Sequence, residues 1–137
     1  MIKTVKFVNF KSLSPQTVEL GPLNVLIGAN ASGKSNFVDA FQFLHDCLGE
    51  NVSVAVARML GWRNTLKRGQ NSRRAIRLEL QLDGAGFPKL RMDDTKAYDP
   101  VEQLCALEVA CVKDEPYVRQ ESAEAFWERQ GRRVRAG

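Results

Sequence analysis

The chain has 137 residues, 20 Lys and Arg against 16 Asp and Glu, and 44% hydrophobic residues. At roughly 100–200 residues per domain this is one domain, long enough for its own core, and the composition excludes a disordered or collagen-like chain. No apolar run approaches the ~20 residues of a membrane span, no signal-peptide core follows Met1, and Cys47, Cys105 and Cys111, without CxxC or Cys/His spacing, read as reduced core thiols of a cytoplasmic protein.

Val5, Phe7 and Phe10, interleaved with Lys6 and Asn9, predict a short first strand. Thr17 to Leu20 predicts a second, and Gly21-Pro22 a turn. Leu23-Asn24-Val25-Leu26-Ile27 is nearly all apolar and reads as a third strand, covered on both faces. From Lys34 the period changes. Phe37, Phe41, Leu44 and Leu48 mark one helix face, with Gly49 as its stop. A further short helix is predicted over 52–60 and a loop over 61–74. Ile76, Leu78, Leu80 and Leu82 alternate with Arg77, Glu79, Gln81 and Asp83, the pattern of a half-exposed antiparallel strand. Residues 84–100 read as loop. Over 104–112, Cys105, Leu107, Val109 and Cys111 favour a strand that turns at 113–116 into a second one at 117–121; a helix over 101–112 is the competing reading.

The charge is segmental. Residues 51–78 carry seven cations and no anion: Arg58, Arg63, Lys67, Arg68, Arg73, Arg74 and Arg77. Residues 79–128 carry twelve anions and five cations, and 129–137 carry four arginines. Two explanations stand: solvated faces that partly neutralise one another, or a patch for phosphate.

One motif is specific. Gly28-Ala29-Asn30-Ala31-Ser32-Gly33-Lys34-Ser35 is GxxxxGKS, the Walker A phosphate-binding loop. Such a loop turns successive backbone N–H groups inward, and its glycines allow the dihedral angles this requires. The helix that follows adds its free N–H groups and dipole. Lys34 is expected at the β- and γ-phosphates of ATP, and the Ser35 hydroxyl on Mg²⁺. The apolar strand before and the amphipathic helix after are the context the motif needs. Asn36 either caps the helix or reaches phosphate. His45 has no nucleophile beside it and reads as structural.

Val8-Asn9-Phe10-Lys11-Ser12, the run from Leu23 to Asn36, and Val38-Asp39-Ala40-Phe41 together resemble the opening of the ATPase head in the RecF/SMC/OLD-type branch of ABC ATPases, the "AAA family ATPases". The resemblance is strong over 2–48, looser over 58–83 and faint beyond 100. It implies an α/β fold, an α+β mixed sheet joined to the P-loop strand and helix, forming the N-terminal lobe of a P-loop NTPase head over 1–125. The remaining 126–137 is expected to be a frayed polar tail. It also implies ATP and Mg²⁺ as ligands, Lys11 near the phosphates (a plain surface lysine is the alternative), and a second head or a complementing C-terminal half as partner. DNA is a candidate partner and a membrane is not. Ala31 stands where the family often has Gly; if that position needs positive φ, alanine costs on the order of 1 kcal/mol.

ATP hydrolysis in this family also needs a Walker B strand ending in Asp-Glu and a signature sequence. Leu66 to Gln70, Val109 to Glu115 and Leu82-Asp83 resemble these only superficially. No guanine-specifying NKxD occurs. The chain therefore reads as a truncated or split lobe that binds nucleotide weakly and hydrolyses it poorly. Two other readings remain: a small P-loop phosphotransferase using Arg63, Arg68, Arg73 or Arg74 as a lid, and a basic nucleic-acid-binding module with a vestigial P-loop.

Overall fold

Strand β1 (Ile2–Val8) puts Val5 and Phe7 on one face and Thr4 and Lys6 on the other, as its alternation requires. In this computed structural model, which describes residues 1–69, 74–83, 90–93, 96–129 and 132–136, β1 leads into β2 (Thr17–Glu19) and the helices α1 (Lys34–Gly49), α2 (Val52–Arg58) and α3 (Trp62–Thr65). Strands β3 (Ile76–Asp83), β4 (Leu90–Asp93), β5 (Lys96–Val112), β6 (Glu115–Arg129) and β7 (Arg132–Ala136) follow. They form one antiparallel sheet in the order β2-β1-β3-β5-β6-β7, with β4 paired to β5. The α/β class with an antiparallel lobe is as the sequence predicts, and so is the hairpin over 104–121.

Registry aligns the apolar positions into columns. Phe7 faces Leu78, which faces Leu107, while Ile76 faces Val109. Onto these columns α1 lays Ala40, Phe43 and Leu44, and α2 adds Val52, Ala55 and Val56. Phe7 meets Phe37 and Phe41 edge-on at 5.8 and 5.4 Å, and Phe10 meets Phe43 at 5.5 Å. The outer face of the sheet is laced with ion pairs instead: Lys6–Glu79 at 3.4 Å, Arg77–Glu108 at 3.6 Å and Arg119–Glu108 at 3.1 Å. Each of these half-exposed pairs adds little stability.

Four expectations are corrected. Leu48 is not on the buried face of α1 but 65% exposed; the core stripe runs through Phe43 in its place, because the helix meets α2 as well as the sheet. Leu23–Ile27 joins no strand, and Leu23, Val25 and Ile27 are 84%, 75% and 89% exposed. Among the described residues no neighbouring strand exists to pair with it. Residues 90–93 and 96–100, expected to be loop, lie in β4 and β5. The tail does not fray where it is described: 126–129 continues β6 and 132–136 pairs with it, Trp127 opposite Val134. A strand already in the sheet offers its free N–H and C=O groups to the next, which polar composition alone does not reveal.

Asp46 is wholly buried between α1 and α2. It accepts hydrogen bonds from Gln42 at 2.8 Å and from Arg58 at 2.6 Å, and Arg58 also reaches Glu50 at 2.6 Å. Burial acts to raise its pKa, but the bonds from Gln42 and His45 and the charge of Arg58 hold the carboxyl below the usual carboxylate range. A lowered native pKa gives stability that is present above the unfolded value and lost as pH falls through the native one. The stability gap between the wild-type chain and Asp46→Asn should therefore narrow on acidification from pH 5 to pH 2, read by urea unfolding; a constant gap would contradict this. Burial, with the Asp46 charge beside it, pushes the Cys47 thiol up to about 12, and burial also raises Cys105 and Cys111, so the cysteines are inert thiols.

Candidate functional site

The loop between Leu23–Ile27 and α1 is shaped by backbone torsions that few residues tolerate. Gly33 sits at φ 99° and a Cβ there would come within 3.2 Å of Ser12 Oγ. Ala31 takes φ 63°, the left-handed region, as the family comparison in the sequence anticipates for a glycine position. Replacing Ala31 by Gly relieves that strain, offset in part by the greater freedom of unfolded glycine. Ala31→Gly should stabilise the chain by about 0.5–1 kcal/mol, a rise of roughly 2–5 °C in melting temperature. A lower melting temperature would show that the strain is absent.

Lys34 opens α1 and folds back over the loop. Its Nζ donates to Gly28 O at 2.7 Å, Ala29 O at 2.6 Å and Ser32 Oγ at 3.3 Å. These contacts hold the ammonium at the loop's centre. A cavity of about 720 Å³ opens there, lined by Asn30 to Asn36, by Lys11 and Ser12, and by Arg63, Asn64, Leu66, Lys67 and Arg68. Among the described residues no carboxylate lines it. Of the predicted site residues, Asn30, Ala31, Ser32, Gly33, Lys34, Ser35, Asn36 and Lys11 come together on this cavity, while Gly28 and Ala29 contribute carbonyls to Lys34.

Asn36 does not cap the helix, though it stands on the cavity wall. Its Nδ2 donates to Ser12 Oγ at 2.7 Å, and the helix start at Gly33 has no side-chain cap. The turn after β1 is thereby tied to α1, and it is tied again by Lys11 Nζ to Asp39 Oδ2 at 2.6 Å. On its other side the same turn holds the basic segment. Phe10 bridges Leu66, Lys11 N donates to Thr65 O, and Lys67 N to Asn9 O, both at 2.9 Å. This is what brings Arg63, Lys67 and Arg68 to the P-loop cavity.

The seven cations of 51–78 thus divide. Arg58 and Arg77 are consumed by carboxylates, Arg63, Lys67 and Arg68 line the cavity, Arg74 is exposed, and Arg73 lies outside the described residues. The sequence signalled the charge but not this partition. Lys67 was named only among the seven cations and Ser12 only within the run after β1, neither as a residue of this cavity; the pairing of Asn9 and Phe10 with 65–67 is a tertiary contact no local pattern announces. Asp114 and Glu115 sit at the β5–β6 turn and line a different cavity, and Asp83 binds the N-terminal amine at 2.6 Å. Neither supplies a Walker B carboxylate here.

Residues 23–90, just under half of the chain, match a family described as "AAA domain, putative AbiEii toxin, Type IV TA system". The fold is similar to a solved structure from work on ATP-driven dimerization and DNA-stimulated activation of SMC ATPases, with a TM-score of 0.53 and 18% identity over 97% of this chain and 71% of that one. The first likeness covers the segment that carries the glycine-rich loop and α1, and the second is one of fold. No curated protein matches the sequence. In this fold the antiparallel sheet is the platform, α1 carries the loop, and the turn after β1 joins the loop to the cationic side of the cavity.

Proposed function

We propose that the chain binds ATP with Mg²⁺ through Gly28–Ser35 as the nucleotide-gripping lobe of an ABC/SMC/RecF-like ATPase. The observation that carries this reading is the cavity itself: the P-loop residues Asn30–Ser35 share one carboxylate-free space with Lys11, Arg63, Lys67 and Arg68. A polyphosphate is the ligand such a surface favours, since several cations and loop N–H groups converge with no competing anion. Lys34 is the cation for the terminal phosphates. Ser35, in the first turn of α1 and on the cavity wall, is the residue to hold Mg²⁺, which neutralises charge on the phosphates when bound.

Hydrolysis is a different matter. It requires a carboxylate to order the metal and another group to orient water, and among the described residues no carboxylate lines this cavity. Turnover on this reading depends on a second head or on a complementing C-terminal half, which would also cover Leu23–Ile27. The neighbouring SMC ATPase is described as dimerising with ATP and being stimulated by DNA; a head partner and DNA are proposals for this chain.

Titration of the full chain with ATP and Mg²⁺ tests the reading. Saturable binding that competes with ADP and is indifferent to adenosine is expected. Failure to bind millimolar ATP would overturn it.

A further inference from the structure

Lys11, a cation of the cavity wall, is already paired with a carboxylate. Its Nζ lies 2.6 Å from Asp39 Oδ2, with side chains 20% and 39% exposed. Asp39 itself is not on the cavity wall. The lysine is held for this contact at a cost. Its backbone is at φ 42°, a strained value for a residue with a Cβ, and its N–H is fixed to Thr65 O at 2.9 Å. The ammonium thus stands at a border: α1's carboxylate on one side, the P-loop cavity on the other.

We propose that Asp39 is a competing counter-charge, which holds Lys11 off the cavity and weakens ATP binding by the cost of the ion pair that the polyphosphate must displace. This rests on the nucleotide-binding reading above. A carboxylate in direct contact competes well against a single phosphate group. A triphosphate brings several negative charges and many acceptor oxygens, and it is already anchored by Lys34, so Lys11 changes partner and joins it. Asp39 does not touch the ligand; it sets what the ligand must outbid.

A double-mutant cycle at low ionic strength tests this, using ATP and AMP as probes. Asp39→Asn should tighten ATP binding roughly twofold to fivefold, the range for releasing a partly screened ion pair, and should tighten AMP binding by less. In a Lys11→Met background, Asp39→Asn should change ATP binding by less than about twofold. Equal tightening in both backgrounds would mean that Asp39 acts only through its general field and would overturn the proposal; so would weaker binding by Asp39→Asn. In the wild-type chain the carboxylate carbon of Asp39, followed by NMR, should shift on adding ATP and by less on adding AMP, a readout that needs no variant to fold; an unmoved resonance is a refutation. ATP binding with an additive cycle removes the Asp39 role and leaves the nucleotide reading standing. No ATP binding by the wild-type chain removes both.

Discussion

Lys34→Ala is expected to weaken ATP binding by about a hundredfold or more, with the fold intact. The ammonium donates to two loop carbonyls and one hydroxyl, all within the P-loop, so no core contact is lost with it. What is lost is the cation placed at the centre of the anion cavity. Removing one member of a close charge pair at a binding site typically costs about 2–5 kcal/mol, and each 1.4 kcal/mol is a tenfold change in affinity. Isothermal titration with ATP and Mg²⁺ reads the affinity, and far-ultraviolet circular dichroism checks the fold. Binding within threefold of the wild-type chain would show that Lys34 does not face the ligand.

Phe43→Ala should destabilise the chain by about 3–5 kcal/mol. Phe43 is fully buried on α1, and its ring packs on that of Phe10, 5.5 Å away, where the helix meets the end of β1. Truncation removes the transfer energy of the ring and leaves a hole that helix and sheet cannot both close. Domains are stable by only about 5–15 kcal/mol, so this one change consumes a large share of the total. Leu48→Ala is the control. Leu48 lies on the same helix but is 65% exposed, and its loss should fall within about 0.5 kcal/mol. Urea unfolding of both variants decides. Comparable losses would mean that the helix packs through the face its simple periodicity suggests.

That contrast shows what the sequence could and could not reveal. The GxxxxGKS motif was legible because eight consecutive residues carry it; the helix expected after it forms, and the strand expected before it does not. Strand β3 was legible because Ile76, Leu78 and Leu80 alternate with charged and polar partners, and the β5–β6 hairpin because Leu107, Val109 and Cys111 do the same. Phe43 was missed because α1 packs on two neighbours at once, and a helix wedged between a sheet and a second helix buries a wider arc than one stripe. The cation cluster was half legible. Seven basic residues without an anion were plain, but their division between Asp46, Glu79 and the cavity depends on which carboxylates the fold brings near. The tie of Asn36 to Ser12 was hidden because that partner is 24 residues away in sequence. Leu23–Ile27 was read correctly as a sequence that demands cover, and wrongly as one that has it.

The last point has a practical consequence for the molecule in water. Leu20 to Gly33 contains no charged residue, and within it four large aliphatic side chains stand in solvent. Elsewhere the exposed edge of the sheet is guarded, with Arg132, Arg133 and Arg135 in the outermost strand, β7. The segment before the P-loop has no such guard, and its exposed aliphatic side chains make it a sticky stretch of the surface. Attraction between aliphatic groups weakens in the cold. A preparation of this chain keeps best dilute and chilled, and it clouds on warming before its core has begun to melt.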